Sequence, residues 1–303
     1  MRRHALFAAA LTAAVGSAAF GSFAALPAFA ASDCPEGGVI RFGVEPFEAA
    51  QNLIPIFDKI GDEIAKGVGC PVKVFVATSY NAEIEAMRNG KLEIGEFGPL
   101  GYVLAHQVAH AEAVATYTDK NGKPETYTAS IVTWPGSGIT QLSQVAGKTF
   151  AYSDPASTSG HLFPAYGLRK AGIDPDHGIV PLYAGSHTAS FETIRNHKVA
   201  AGELNSEEIT ATEAQGLYKS GDFVTLWTSQ PIPTDPIAVR GDLPEPLKSK
   251  LTAVLRNLDL SKLSPADMKH LGGEGTKLAP TTDATFNEIR DLVKTLNVDL
   301  SKL

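Results

Sequence analysis

Thr149-Phe150-Ala151-Tyr152-Ser153-Asp154-Pro155-Ala156-Ser157-Thr158-Ser159-Gly160-His161-Leu162 is the stretch on which the fold turns. Thr149 to Tyr152 reads as a buried strand, and the apolar spacing from Leu162 to Ala171 is helical. Strand, polar turn and helix in succession imply a parallel sheet covered by helices on both faces. The turn places three hydroxyl side chains in a row at a helix N-terminus, with Gly160 behind them. One serine or threonine there is an ordinary N-cap; three in a row exceed what a cap needs. Free amides and the helix dipole favour an anion at such a place without any lysine or arginine.

The same alternation runs outward in both directions. Upstream, Val39 to Val44, Val72 to Ala77, Leu92 to Phe97, Val114 to Thr118 and Ala129 to Trp134 read as strands. The helix between the first two carries Ile56, Ile60 and Ile64 on one face. Downstream, Ile179 to Tyr183, Val199 to Leu204 and Val224 to Trp227 continue the series. Helices fill the gaps at Ala189 to Asn196 and Glu207 to Lys219, and two more occupy the tail at Leu247 to Arg256 and Ala284 to Leu296. The expected architecture is α/β, with two doubly wound lobes and a ligand cleft between them. The expected division is 31–128 plus 236–303 for one lobe and 129–235 for the other. In open α/β sheets ligands sit beyond the carboxyl ends of the strands, so the turns after strands are the places to search.

Two further turns share the pattern. Gly185-Ser186-His187 opens a helix with a residue able to donate to an oxyanion, although a lone histidine is more often a surface or core residue. Leu204-Asn205-Ser206-Glu207 brings a carboxylate to the next helix start, where the dipole favours it in any case.

With these turns in place the chain resembles the periplasmic phosphonate-binding proteins of the phosphate/phosphite/phosphonate ABC importers, a type II periplasmic-binding fold. The resemblance runs from about Val39 to beyond Arg240 and rests on several stretches at family-like spacing. These are Tyr80-Asn81-Ala82-Glu83-Ile84, Phe97-Gly98-Pro99-Leu100, Asp154 to Gly160, Ala184-Gly185-Ser186-His187 and Ile232-Pro233-Thr234-Asp235-Pro236. It implies that Ser157, Thr158, Ser159 and His187 hold the phosphonate oxygens, joined by Tyr80 and by Tyr127 at the lobe crossover. It also implies that Glu207 and Asp235 meet the ammonium of an aminoalkylphosphonate such as 2-aminoethylphosphonate. Asp235 alone does not decide the ligand, because relatives taking phosphite or methylphosphonate can use an aspartate to accept an O–H. Two positions depart from the family pattern. Gly101 stands where serine or alanine is expected, and His161 stands where an aromatic or aliphatic residue is common, either a donor at the rim or a solvated side chain.

The bulk numbers agree with an exported binding protein. Met1-Arg2-Arg3-His4, the alanine-rich apolar run Ala5 to Leu26, and Ala28-Phe29-Ala30 form a secretory signal, cleaved after Ala30 with Ala31 as the near alternative. Removal of Arg2 and Arg3 from 26 basic residues leaves 24 against 33 acidic ones, a net charge of −9 over the remaining 273 residues. That balance excludes a nucleic-acid or anionic-membrane binder, and the length favours two domains. Cys34 and Cys70, the two cysteines, are most simply one disulfide in an oxidising compartment. The expected protein is a periplasmic monomer that needs no cofactor or metal and catalyses nothing; it would deliver its ligand to an ABC permease. Rival readings are a hydrolase using Ser157, His187 and Asp235, a sulfonate or thiamine-precursor binder of the same fold, and a sensor subunit. The hydrolase lacks a Gly-x-Ser-x-Gly elbow. His106 and His110 mimic a zinc helix, but Gln107 stands where a metalloprotease needs glutamate.

Overall fold

The computed structural model describes residues 34, 35 and 37–300; the expected signal peptide and its cleavage point lie outside them. The strands are β1 (Ile40–Val44), β2 (Val72–Val76), β3 (Ile94–Glu96), β4 (Ala111–Thr116), β5 (Thr126–Tyr127), β6 (Ala129–Thr133), β7 (Thr149–Tyr152), β8 (Val180–Tyr183), β9 (Ala201–Asn205), β10 (Val224–Thr228), β11 (Ile232–Pro233), β12 (Pro236–Arg240) and β13 (Ala279–Pro280). The helices are α1 (Ala50–Val68), α2 (Tyr80–Arg88), α3 (Pro99–Ala109), α4 (Phe163–Lys170), α5 (His187–Arg195), α6 (Ser206–Ala214), α7 (Glu245–Leu255), α8 (Pro265–His270) and α9 (Asn287–Leu296).

Two sheets result. The first has the order β13-β4-β12-β3-β1-β2, the second β10-β6-β9-β7-β8, and the short pair β11-β5 lies where the chain crosses between them. β1 runs parallel to β2 and β3, with Phe42 opposite Val74 and Ile94. β7 likewise runs parallel to β8 and β9. The sheets are nevertheless mixed, which corrects the expectation of purely parallel ones. β12 lies antiparallel between β3 and β4, and β6 lies antiparallel beside β9. Each follows a crossover strand directly, so it enters its sheet from the edge where the parallel strands end and must run the other way.

The periodicity in α1 is explained by its burial. Leu53, Ile56, Phe57, Ile60, Ile64 and Val68 are all buried, and Phe57 meets Phe42 of β1 edge-on at 5.7 Å between ring centres. Burial of each such side chain stabilises the fold by about 1.5–3 kcal/mol. The tail joins the first sheet: β13 pairs with β4, and Phe286 packs on Tyr102 of α3 at 4.8 Å. Cys34 and Cys70 form the expected disulfide, with Cα atoms 5.7 Å apart, tying the entry to β1 to the end of α1.

Some boundaries differ from the sequence reading. α6 stops at Ala214 rather than running to Lys219, because Gly216 takes a left-handed φ of 71° and ends it. The helix after β7 begins with a wide π turn, Thr158–Leu162, before α4 proper. Among the described residues no helix is long and apolar enough to cross a membrane.

Candidate functional site

Parallel strands end at a common edge, and here two such edges meet. The segments following β1, β2 and β3 bring Glu45, Tyr80 and Gly98 to one side of a cavity of about 40 Å³. Those following β7, β8 and β9 bring Ser157, His187 and Glu207 to the other. Room for a few waters is room for a ligand of few heavy atoms. Tyr80, Tyr127, Ser157, Thr158, Ser159, His187, Glu207 and Asp235 all line this one cavity.

The hydroxyl side is built by the turn after β7. Ser157 is the N-cap of the π turn, its Oγ accepting the Gly160 amide at 3.1 Å. The same Oγ lies 3.3 Å from His187 Nε2. Thr158 Oγ1 accepts the Leu100 amide at 2.8 Å, a bond from the start of α3 to the second sheet's turn. Its hydroxyl proton is not used by that bond and reaches the Tyr127 oxygen, which lines the same cavity. Asn205 donates to Ser159 Oγ at 3.2 Å while its carbonyl oxygen caps α6 through the Glu208 amide at 2.7 Å. Ser157, Thr158 and Ser159 are each 2% exposed or less. Three buried hydroxyls and a histidine aimed at one space are donors waiting for an acceptor.

His187 opens α5, and its own amide donates to Phe47 O at 3.1 Å, a second bond between the two sheets' loops. Its Nδ1 lies 3.1 Å from both carboxylate oxygens of Glu203. Burial alone lowers a histidine pKa; the charge and hydrogen bond of Glu203 outweigh it, so the imidazole titrates above its ordinary value. Nδ1–H is thus held by Glu203, and Nε2–H is presented to the cavity as a charged donor.

The opposite side is acidic. Burial first, then the Asp235 charge, raises Glu207 well above the carboxylate range. Burial likewise pushes Asp235 up to about 7, against the pull of the positive His187. Asp235 Oδ1 is buried and has no hydrogen-bond partner in the protein. Tyr80 and Tyr127 are 2% and 5% exposed, and burial raises both phenols, so each stays a neutral donor.

The sequence reading did not anticipate Glu203, Asn205, Glu45, Glu96, Glu48 or His270. Glu203 and Asn205 share a strand face by their spacing of two, and Asn205 was already in view as a turn residue. Glu48 and His270 come together from 222 residues apart, with Oε2 to Nδ1 at 2.7 Å, a pairing that no local pattern reveals. His161 is neither a rim donor nor solvated. It is 8% exposed; Nδ1–H donates to Pro155 O (2.7 Å), Nε2 shares a hydrogen bond with the Tyr183 hydroxyl (3.2 Å), and Tyr152 packs on its ring. His106 binds Ala111 O at 2.8 Å, and among the described residues no group of three metal-ligating side chains is placed to hold an ion.

Ser157, His187 and Glu203 have the residue types of a hydrolytic triad. Ser157 Oγ, however, is committed as a cap to the Gly160 amide, and no strained elbow exposes it. Asp235, the acid of the triad considered from sequence, is not the residue on Nδ1.

Comparison with known proteins bears on the same point. A family model described as ABC transporter, phosphonate, periplasmic substrate-binding protein matches residues 42–286. The phosphonates-binding periplasmic protein of Escherichia coli is 29% identical over 238 residues, covering 77% of this chain and 70% of that protein. The phosphate-import protein PhnD of Mycolicibacterium smegmatis is 27% identical over 269 residues, covering 83% and 84%. A crystal structure of a binding protein component of an ABC phosphonate transporter from Pseudomonas aeruginosa superposes with a TM-score of 0.75. It is 27% identical and 86% of each chain is covered. These relatives are substrate-binding proteins, not enzymes, and their fold is the type II periplasmic-binding fold expected from the turns. The chain belongs to the family of periplasmic phosphonate substrate-binding proteins of ABC transporters.

Proposed function

We propose that this protein captures an aminoalkylphosphonate of the 2-aminoethylphosphonate kind between two lobes, 31–128 plus 236–303 and 129–235, and hands it to a membrane permease. One observation carries the reading: the cavity has two chemically opposite ends. Ser157, Thr158, Ser159 and His187 offer donors at one end, with Tyr80 and Tyr127 beside them. Glu207 and Asp235 offer acceptors at the other. A phosphonate with an ammonium on a short carbon tail satisfies both ends, whereas a bare oxyanion leaves buried carboxyls unmatched. Closure would be a hinge at the crossover strands β5 and β11. The signal at 1–30 would deliver the chain to the periplasm as a monomer.

A second reading is a phosphate, phosphite or methylphosphonate binder. It is supported by the small cavity and by Asp235, pushed up to about 7, which can share a proton with a P–O–H group. Calorimetric titration of the stripped mature protein with 2-aminoethylphosphonate, methylphosphonate, phosphite, phosphate and sulfate separates the two. Tightest binding of the aminoalkylphosphonate is expected. A preference for phosphate, phosphite or methylphosphonate sinks the first reading and leaves the family intact.

A further inference from the structure

The acid end of the cavity holds more carboxylate than Glu207 and Asp235. Glu45, just after β1, and Glu96, the last residue of β3, also line it, and each is 2% exposed. Glu45 Oε2 accepts the Gly98 amide at 2.8 Å, but Glu45 Oε1 has no partner in the protein. Neither has Glu96 Oε2 or Asp235 Oδ1. Of the other acids nearby, Glu48 is matched by His270 and Asn52 and Glu203 by His187, whereas Glu83, which does not line the cavity, is also unpartnered. Among the described residues no lysine or arginine lines the cavity. A buried carboxyl oxygen without a donor is costly, and these three share one small space.

Their placement is specific to a compact cation beside the oxyanion end. The point where a side-chain carbon would stand on Gly98 lies 3.2 Å from Glu45 Oε2, 3.6 Å from Thr158 Oγ1 and 3.9 Å from Asp235 Oδ1. Oxyanion donor and carboxylates thus converge within one short span. The chain also makes room for Glu45. A Cβ at Gly101, the position where serine or alanine was expected, would overlap Glu45 Oε1. Burial, together with repulsion from Glu83, Asp235 and each other's neighbours, holds the Glu45 and Glu96 carboxyls well above their ordinary range, as expected of acids awaiting a cation.

We propose that Glu45 and Glu96, with Asp235, form the seat of the ligand's cationic group and set specificity for a primary ammonium. The fit is one of kind: three acids that line the cavity, each with an unpartnered acceptor oxygen, suit the N–H donors of an –NH₃⁺ group. A quaternary ammonium has no such donors and leaves all three oxygens unmatched. The seat rests on the aminoalkylphosphonate reading above and deepens it, since Glu207 is then the rim of the acid end and not its centre.

The test is calorimetric titration of wild type, Glu45→Gln and Glu96→Gln with 2-aminoethylphosphonate, its N,N,N-trimethyl analogue and methylphosphonate. Wild type should prefer the primary amine over the trimethyl analogue by roughly tenfold or more, on the scale of a hydrogen bond to a charged group. Each glutamine variant should lose a similar factor for the primary amine, while methylphosphonate affinity holds or rises. Variants that bind the primary amine like wild type, or that lose both ligands equally, overturn the seat and leave the phosphonate reading standing. Wild type binding methylphosphonate more tightly than the primary amine overturns that reading itself. The comparison of primary and trimethyl amines needs no variant and tests the ammonium reading. If a glutamine substitution prevents folding, Glu45→Asp and Glu96→Asp, which draw the carboxylates back, should lose the primary amine selectively, and unchanged binding there overturns the seat.

Discussion

Glu203→Gln is the substitution that most directly probes how the oxyanion end works. Glu203 is 1% exposed, with both carboxylate oxygens 3.1 Å from His187 Nδ1. Glutamine keeps the shape and can still accept from Nδ1–H, but it removes the charge that keeps the imidazole protonated. Once neutral, the ring, with its proton on Nδ1, would turn a bare Nε2 lone pair toward the phosphonate oxygens. The loss is one charge-assisted hydrogen bond, about 1.5–3 kcal/mol, or roughly ten- to more than a hundredfold in affinity. It should be the same for methylphosphonate and 2-aminoethylphosphonate, because the oxyanion end is common to both. The sign of the pH dependence follows from the raised His187 pKa. Binding through His187⁺ is fully present below the ordinary histidine value of 6.5 and is lost as pH rises through the higher value of the folded protein. The variant, without that elevation, loses it at lower pH, so the two proteins should converge in acid and part above neutrality. Asp235 and Glu208, both near 7, titrate in the same window. They are common to both proteins, so the ratio of the two affinities largely removes them. Calorimetric titration across this range, with thermal melting as the check on folding, reads that ratio. A constant ratio of one at every pH would refute the role given to Glu203.

Four other outcomes are expected. The double change Ser157→Ala with Thr158→Ala should weaken every phosphonate ligand by about 1 kcal/mol or more per hydrogen bond lost, and intact binding by calorimetry would remove both from the site. Loss of the Ser157 cap alone should lower stability by about 1 kcal/mol in a denaturant melt. Glu207→Gln should weaken ammonium-bearing ligands selectively; an equal loss for methylphosphonate would contradict its proposed role. Replacing Cys34 and Cys70 by serine opens a loop spanning 36 positions and should cost about 4 kcal/mol on the chain-entropy account, while an unchanged melting temperature would show that the loop stays closed without the bond.

The oxyanion end was legible because its residues are consecutive. Ser157-Thr158-Ser159 sits between a readable strand and a readable helix, so local physics places the hydroxyls before any tertiary contact is known. The crossover strands were harder: nothing in Pro236 to Arg240 tells a parallel from an antiparallel neighbour, and only the route of the chain decides it. The acid end was half legible, through a turn glutamate and an aspartate in a family-like stretch. Glu45 and Glu96 were missed because one follows an apolar strand and the other ends one, where a lone acid reads as the strand's polar exit. Their burial depends on the meeting of two strand ends, and that is set by the register of β1 with β3. The one local trace was Gly101, an odd residue whose reason lies in the side chain of Glu45, 56 positions earlier.

The two ends of the cavity do not come from the same part of the chain, and this bears on how binding and closure are linked. Ser157, Thr158, Ser159 and His187 follow strands of the second sheet, whereas Glu45 and Glu96 belong to the first, and Asp235 directly precedes β12. On the proposed division, a bare oxyanion meets the hydroxyls and His187 of one lobe and Tyr80 and Tyr127 of the other, but leaves Glu45 and Glu96 unmatched. An aminoalkylphosphonate joins the lobes through its own carbon chain. Some direct links between them lie outside the cavity, such as Arg169 Nη1 to Leu296 O and Gln230 Nε2 to Glu288 Oε1. Two lie at the cavity, the Leu100 amide to Thr158 Oγ1 and the His187 amide to Phe47 O, and each ends on a residue of the oxyanion end, so ligand contact and lobe contact share groups there. Thr158 can accept from Leu100 and donate to the ligand at once, and such chained bonds reinforce each other. A ligand shifts the closed population only by its differential affinity for that state. A molecule matching both ends, with Glu45 and Glu96 added to its contacts, has more of that differential built into its structure than an anion matching one end.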